Sequence, residues 1–288
     1  MKNYSFPYFL NKANKKCHQL QIHHLFLSCH SACTDTRKIQ TNAMFFALKG
    51  DNFNGNSYAQ QAIEKGAKYA LIDDKEFKTE NTILVNNVLE TLQSLATYHR
   101  NYLKTPIIAL TGSNGKTTTK ELINAVLSKK FKTTATIGNL NNHIGVPLTL
   151  LSMTKKTEIG IVEMGANHQK EIEFLCDIAL PDYGLITNFG KAHLEGFGGV
   201  EGVVKGKSEL YDYLKENKGS AIVNGDDQKQ IQQSEGVNRY IFGFAKNAQN
   251  HLSNTVNEAG YCTVKTGDTT ITSQLTGTYN FDNINAAV

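Results

Sequence analysis

Residues 111–121, TGSNGKTTTKE, follow directly on the apolar run Ile107, Ile108, Ala109 and Leu110. The succession reads as a buried strand, a glycine loop and a helix that opens on lysine and threonine. Gly112 and Gly115 allow backbone angles that a side chain forbids. The N–H groups of such a loop, with the positive end of the helix behind them, converge on an anion. Lys116 is placed to reach terminal phosphates, and Thr117 to offer its hydroxyl to Mg²⁺. The loop is shorter than the pattern G-x-x-x-x-G-K-[ST], because Leu110 stands where that pattern's first glycine would be. Gly112, Ser113, Asn114, Gly115, Lys116, Thr117 and Thr118 are therefore the expected nucleoside triphosphate site, with ATP as ligand.

At 288 residues the chain has room for about two domains, and a 40% hydrophobic content is enough to build cores. The net charge of +4 is spread along the sequence with no long basic block, which points to acidic small molecules more than to nucleic acid. No aromatic-basic interleaving supports nucleic-acid binding. No apolar run approaches the roughly 18 residues of a membrane span, and residues 1–16 lack an apolar signal core. The five cysteines, Cys17, Cys29, Cys33, Cys176 and Cys262, form an odd and scattered set that fits a reducing, cytoplasmic setting. Cys17, His18, His23, His24, Cys29, His30 and Cys33 crowd together in a way zinc would accept. They lack a C-x₂-C pair, however, and the alternation of Leu20, Ile22, Leu25 and Leu27 reads as ordinary strand and loop.

Two domains are expected, at 1–104 and 105–288, with Thr105-Pro106 as the hinge. In the first, strands are predicted at 44–48, 68–72 and 82–85. Helices are predicted at 57–66 and 88–103, the latter with Leu89, Leu92, Leu95, Ala96 and Leu103 at helical spacing. In the second, strands are predicted at 107–111, 133–136, 159–163, 183–187, 221–223 and 240–244. They alternate with helices near 116–130, 169–179, 200–215 and 227–233. Such alternation predicts an α/β fold: a small α/β domain, then a mostly parallel sheet with helices on both faces. Residues 252–276 read as a hairpin with turns at Gly260 and Gly267-Asp268.

Ligands of a parallel sheet sit beyond the carboxyl ends of its strands. Three segments fall there besides the loop: Ile161 to His168, Ile186 to Gly196, and Val204 to Leu210. Glu163 and His193 could share a divalent ion, since carboxylate oxygen and imidazole nitrogen suit Mg²⁺ or Mn²⁺. Each also has a plain reading, Glu163 as a helix cap and His193 as a loop histidine.

Seven motifs, in order, resemble those of the Mur ligase family, the ATP-dependent amide-forming enzymes of peptidoglycan synthesis. They are Thr34 to Lys38 with Phe45 to Gly50; Thr111 to Glu121; Gly138 to Thr149; Glu163 to His168 with Glu171-Ile172; Ala192 to Gly198; Lys205 to Leu210; and Gly277 to Asn280 with Asn283. The resemblance is to the branch that joins D-alanyl-D-alanine to UDP-N-acetylmuramoyl-tripeptide. It implies a UDP-substrate domain with Thr36, Arg37, Lys49 and Gly50 near the substrate. It implies Lys116 on the ATP phosphates, Asn280 and Asn283 on adenine, and Asn139, Asn141 and Asn142 on the acceptor side. Two magnesium ions are implied, held by Thr117, Glu163, His193 and Lys207. For the last, the family pattern of lysine, two residues and an aliphatic residue favours Lys207 over Lys205 as a carbamylated lysine. An unmodified ammonium beside two cations would be repelled.

The implied reaction passes through an acyl phosphate, formed when two magnesium ions and Lys116 offset the charge between ATP and the acceptor carboxylate. Relatives carry a third, C-terminal domain that this chain lacks, so the chain alone is expected to bind substrates as a monomer without useful turnover. Rival readings are another Mur or folylpolyglutamate-type ligase and a nucleotide-binding module without turnover.

Overall fold

A computed structural model describes residues 19–288, and it divides into two units, one holding the chain up to Leu103 together with Leu150–Ser152, the other Lys104–Thr149 and Met153–Val288. Cys17 and His18 lie outside the described residues. In the first unit, helix α1 covers residues 19–27. A parallel sheet follows, of β1 (Ser31–Cys33), β2 (Ala43–Phe46), β5 (Tyr69–Ile72) and β6 (Thr82–Leu84), in that order. Between β2 and β5 lie the two-residue strands β3 (Lys49–Gly50) and β4 (Phe53–Asn54), and helix α2 (Ala59–Glu64). Helix α3 (Val88–Leu103) buries Val88, Leu92, Leu95, Ala96 and His99, one face at 3.6-residue spacing. Every residue of β2 is buried, as expected of a strand covered on both sides.

The second unit is built on a nine-stranded sheet in the order β15-β14-β13-β12-β11-β10-β7-β9-β8. The strands are β7 (Ile107–Thr111), β8 (Thr133–Ala135), β9 (Ile159–Glu163), β10 (Tyr183–Ile186), β11 (Ser220–Asn224), β12 (Asn238–Gly243), β13 (Asn250–Val256), β14 (Tyr261–Thr266) and β15 (Thr269–Thr276). Pairing is parallel from β8 through β13, and antiparallel only for β13–β14 and β14–β15. The helices are α4 (Lys116–Leu127), α5 (Gly145–Leu151), α6 (Glu171–Ala179), α7 (Leu194–Phe197), α8 (Val200–Glu216), α9 (Gln228–Gln233) and α10 (Asn280–Asn285). Leu110, Ile123, Ile161, Leu185, Phe242, Val264 and Ile284 form one core that joins the sheet to α4 and α10. A Cβ on Gly184 would press on Leu210 and Leu214, so glycine there lets α8 lie close against β10.

This is the α/β architecture expected from the sequence, a small parallel sheet and a large, mostly parallel one. Three details differ. The stretch read as alternating strand, residues 20–27, is helix α1, whose buried residues Ile22, His23 and Phe26 follow helical spacing. The hairpin is a meander of three strands, two turns requiring a third strand, and it extends the main sheet through β13. Helix α5, which opens on Gly145-Val146-Pro147, is not among the predicted helices, since proline and glycine there read as a loop.

Candidate active site

The chain leaves β7 towards β8 on one side and later passes through β10 to β11 on the other. The crevice at the carboxyl ends of these strands is therefore a topological switch point, where open α/β sheets bind ligands. The glycine loop fills it. Gly112 has φ +142° and Gly115 φ +80°. A Cβ on Gly112 would strike the Thr187 hydroxyl, and one on Gly115 the Asn283 carboxamide.

The loop is braced from the end of β10. Ser113 N–H donates to Asn188 O (3.1 Å) and Asn114 N–H to Asn188 Oδ1 (3.2 Å). Thr187 Oγ1 and Asn188 Nδ2 both donate to Asn114 O, at 2.6 and 3.0 Å. Behind the loop, Thr119 Oγ1 donates to Asn283 Oδ1 (3.0 Å), and Asn283 Nδ2 donates to Asn280 Oδ1 (2.9 Å). Asn280 and Asn283 are both buried. In this structure they tie α10 to α4, and the side chain next to them, Tyr279, is exposed. No side chain caps the N-terminus of α4, so its first N–H groups remain available to an anion. Thr118 follows Thr117 in that first turn.

Lys116 Nζ donates to Gly112 O (2.8 Å) and Ser113 O (3.3 Å). Burial lowers its pKa, and the charge of Glu163 partly offsets that. Glu163 ends β9 and is 1% exposed. Its Oε1 accepts from Asn141 Nδ2 (2.8 Å) and Thr117 Oγ1 (3.3 Å), while its buried Oε2 accepts no hydrogen bond. Lys116, Asn141, Asn142, His143, Ala166 and His193 are among the residues around a cleft of about 580 Å³. Asn142 Oδ1 caps α5, accepting from Ile144 N–H and Gly145 N–H. Asn139 is exposed on the same loop.

His193 sits at φ +56° at the head of α7. Lys207 on α8 is buried, whereas Lys205 is exposed. The Lys207 ammonium donates to Ala166 O (3.2 Å) and lies 4.9 Å from the centre of the Phe197 ring. Burial first, then the charge of Lys116, lowers its pKa to about 8. The neighbouring Glu209 is spent on structure: it accepts from Lys170 N–H (2.6 Å) and Glu173 N–H (3.1 Å) at the start of α6.

For magnesium, the Thr117 hydroxyl and Glu163 Oε1, 3.3 Å apart, form a hard oxygen pair that fits one ion. His193 lines the cleft with one nitrogen, and Lys207 as it stands brings a cation, so these two residues do not fit a second ion without modification. Among the described residues no group of three or more His, Cys, Asp or Glu side chains is gathered for a metal. Of the described zinc candidates, His23 Nε2 is 3.1 Å from His99 Nδ1, and the Cys29 thiol donates to Leu25 O.

Sequence reasoning passed over Asn188, which braces the loop, and Lys120, which is wholly buried beside Glu163. Asn188 had a visible signal, an asparagine directly after a strand. The first unit holds its candidates at the surface. Arg37 forms a two-pronged pair with Asp35 (2.9 and 2.8 Å) and Lys49 pairs with Asp73 (2.9 Å). Thr36 O accepts from Lys65 Nζ, and Gly50 has open space beside it. Asn56, also passed over, is buried and donates from Nδ2 to both Asn54 and Asp73.

The Mur ligase middle-domain model matches residues 110–288, and the model described as Mur ligase family, catalytic domain matches residues 28–104. The chain belongs to the Mur ligase family. It is 37% identical to the UDP-N-acetylmuramoyl-tripeptide–D-alanyl-D-alanine ligase of Bacillus subtilis (strain 168), over 90% of this chain and 57% of that protein. Among solved structures it resembles MurF from Acinetobacter baumannii (TM-score 0.79, 30% identity, 90% of this chain and 58% of that one). It also resembles the MurF ligase of Thermotoga maritima in complex with ADP (TM-score 0.77, 29% identity, 91% and 62%). This Mur ligase chain therefore spans about half the length of the curated relatives it matches. None of its described helices is long and apolar enough to cross a membrane.

Proposed function

We propose that this chain carries the UDP-substrate and nucleotide units of an ATP-dependent amide ligase of cytoplasmic peptidoglycan precursor synthesis. The acceptor is UDP-N-acetylmuramoyl-tripeptide and the amine is D-alanyl-D-alanine, as in the B. subtilis relative's name. The observation that carries this reading is the junction of loop and carboxylate: Thr117 and Asn141 meet on Glu163 Oε1, beside the cleft that Lys116, Asn142 and His193 line. The ADP complex of the T. maritima neighbour supports the loop as a nucleotide site.

The loop N–H groups and Lys116 would hold the β- and γ-phosphates. The tripeptide carboxylate oxygen attacks the γ-phosphorus, and the bond to the bridging oxygen breaks, releasing ADP and leaving an acyl phosphate. The amine nitrogen of D-alanyl-D-alanine then attacks the acyl carbon, phosphate departs with its bonding electrons, and the nitrogen loses its proton to solvent. Asn141 and Asn142 would orient the carboxylate, for alignment of the two reactants is worth several kcal/mol of barrier. Thr117, Glu163, His193 and a carbamylated Lys207 would hold magnesium, which when bound supplies neutralisation of phosphate and carboxylate charge.

The test is calorimetric titration of Mg-ATP into the wild type and Lys116→Ala. Loss of charge-assisted hydrogen bonds predicts affinity lower by about tenfold to a hundredfold. Undiminished affinity in a folded variant would remove the assignment.

A further inference from the structure

Lys120 lies one helical turn beyond Lys116 on α4 and has no solvent exposure. Lysine is almost never fully buried unless it is paired. Its Nζ donates to Gly138 O (3.1 Å), pairs with Glu121 Oε1 (2.9 Å) and stands 3.8 Å from Glu163 Oε2. Glu121 is mostly exposed, so the buried partner is Glu163. The two oxygens of Glu163 are thereby divided. Oε1 faces Asn141 and Thr117; Oε2 accepts no hydrogen bond and has the Lys120 cation as its nearest charged partner. Gly138 opens the segment that also carries Asn141, and Asn141 O accepts from Gly165 N–H (2.7 Å) just beyond β9. Lys120 thus spans α4, the 138–142 segment and the end of β9.

We propose that Lys120 is a positioning residue that fixes the rotamer of Glu163 and presents its Oε1 to the Mg-nucleotide. A buried side chain at this depth cannot touch ATP itself, so it acts through Glu163 and through the Gly138 carbonyl. The inference rests on the reading of Glu163 as a magnesium carboxylate. Without Lys120, Glu163 loses its buried counter-charge and is free to turn either oxygen onto Asn141 and Thr117. Residues that orient a metal's ligands from behind typically change metal affinity by about tenfold to a hundredfold.

The experiment measures ATP affinity of the whole chain by calorimetry with and without Mg²⁺, for the wild type, Lys120→Met and Lys120→Arg. The readout is the gain in affinity that magnesium brings. Lys120→Met should cut that gain about tenfold while metal-free ATP binding changes little, and Lys120→Arg should retain part of it. A purely structural role would lower the melting temperature and leave the gain unchanged, which overturns the inference. Should Lys120→Met not fold, Lys120→Gln, which keeps a donor for Gly138 and drops the charge, decides on the same criterion. A wild type with no magnesium-dependent gain would instead overturn the reading of Glu163, and the inference with it.

Discussion

Acidification should destabilise the first unit through one residue, His23. It is 4% exposed, within 5.3 Å, centre to centre, of the rings of Tyr98, His99 and Tyr102, and 3.1 Å from His99 Nδ1 through its Nε2. In the neutral pair one N–H bridges the two nitrogens; a further proton on His23 puts a charge on a ring buried among aromatic side chains. Burial first, then the charges of His99 and His24, lowers the His23 pKa from 6.5 to about 4. A depressed folded-state pKa means the unfolded chain takes up the proton first, so the stabilisation is complete above pH 6.5 and is lost as pH falls towards 4. Linkage between those two values gives a loss of about 2 kcal/mol at pH 5, levelling near 3 kcal/mol below pH 4. Urea unfolding at pH 7.5 and pH 5.0, followed by circular dichroism, measures it against His23→Phe, which keeps an aromatic ring and cannot be protonated. The variant should lose about 2 kcal/mol less than the wild type over that interval. Equal losses in both proteins would refute the assignment of this pH dependence to His23.

Two other substitutions address the second unit. Gly115→Ala places a Cβ at φ +80° against Asn283 and breaks its bond to Thr119. The cost is about 1 kcal/mol for the left-handed backbone and about 1–3 kcal/mol for the buried polar pair, read by urea unfolding. Adding Asn283→Ala should remove the overlap, and a double variant as unstable as the sum of both singles would contradict the contact. For Lys207, ¹³C-bicarbonate with Mg-ATP should yield a carbamate resonance in the wild type that is absent from Lys207→Met; identical spectra would exclude the modification.

Where glycine, proline and strong periodicity coincide, sequence and structure share the same limits, as in Ile107–Thr111, Ile159–Glu163 and Val88–Leu103. Helix α1 escaped because its inward face includes a histidine. With His23 counted as polar, Leu20, Ile22, Leu25 and Leu27 mimic a strand, yet Leu20 and Leu27 are exposed and His23 is buried among aromatic rings. Composition cannot report that inversion, because it depends on His99 supplying a partner from another helix. Lys120 escaped for a similar reason. Nothing in its threonine-rich helix marks it; the Gly138 carbonyl and the Glu163 carboxylate, both distant in sequence, make it a core cation. Lys116 and Glu163, by contrast, are marked locally, one by the glycines before it and the other by ending an apolar strand.

The braces on the glycine loop bear on how a nucleotide enters it. It is held from outside by bonds to Thr187 and Asn188 at the end of β10, and Asn283 on α10 packs against Gly115. The side chain that must move is Lys116, whose ammonium rests on the Gly112 and Ser113 carbonyls. Burial penalises its charge there, and those two oxygens are weaker partners than a phosphate. Exchanging them for phosphate oxygens relieves the lysine while the backbone N–H groups stay where they are. Bonds that already hold the loop backbone are the kind of preorganisation that keeps the entropic cost of association low.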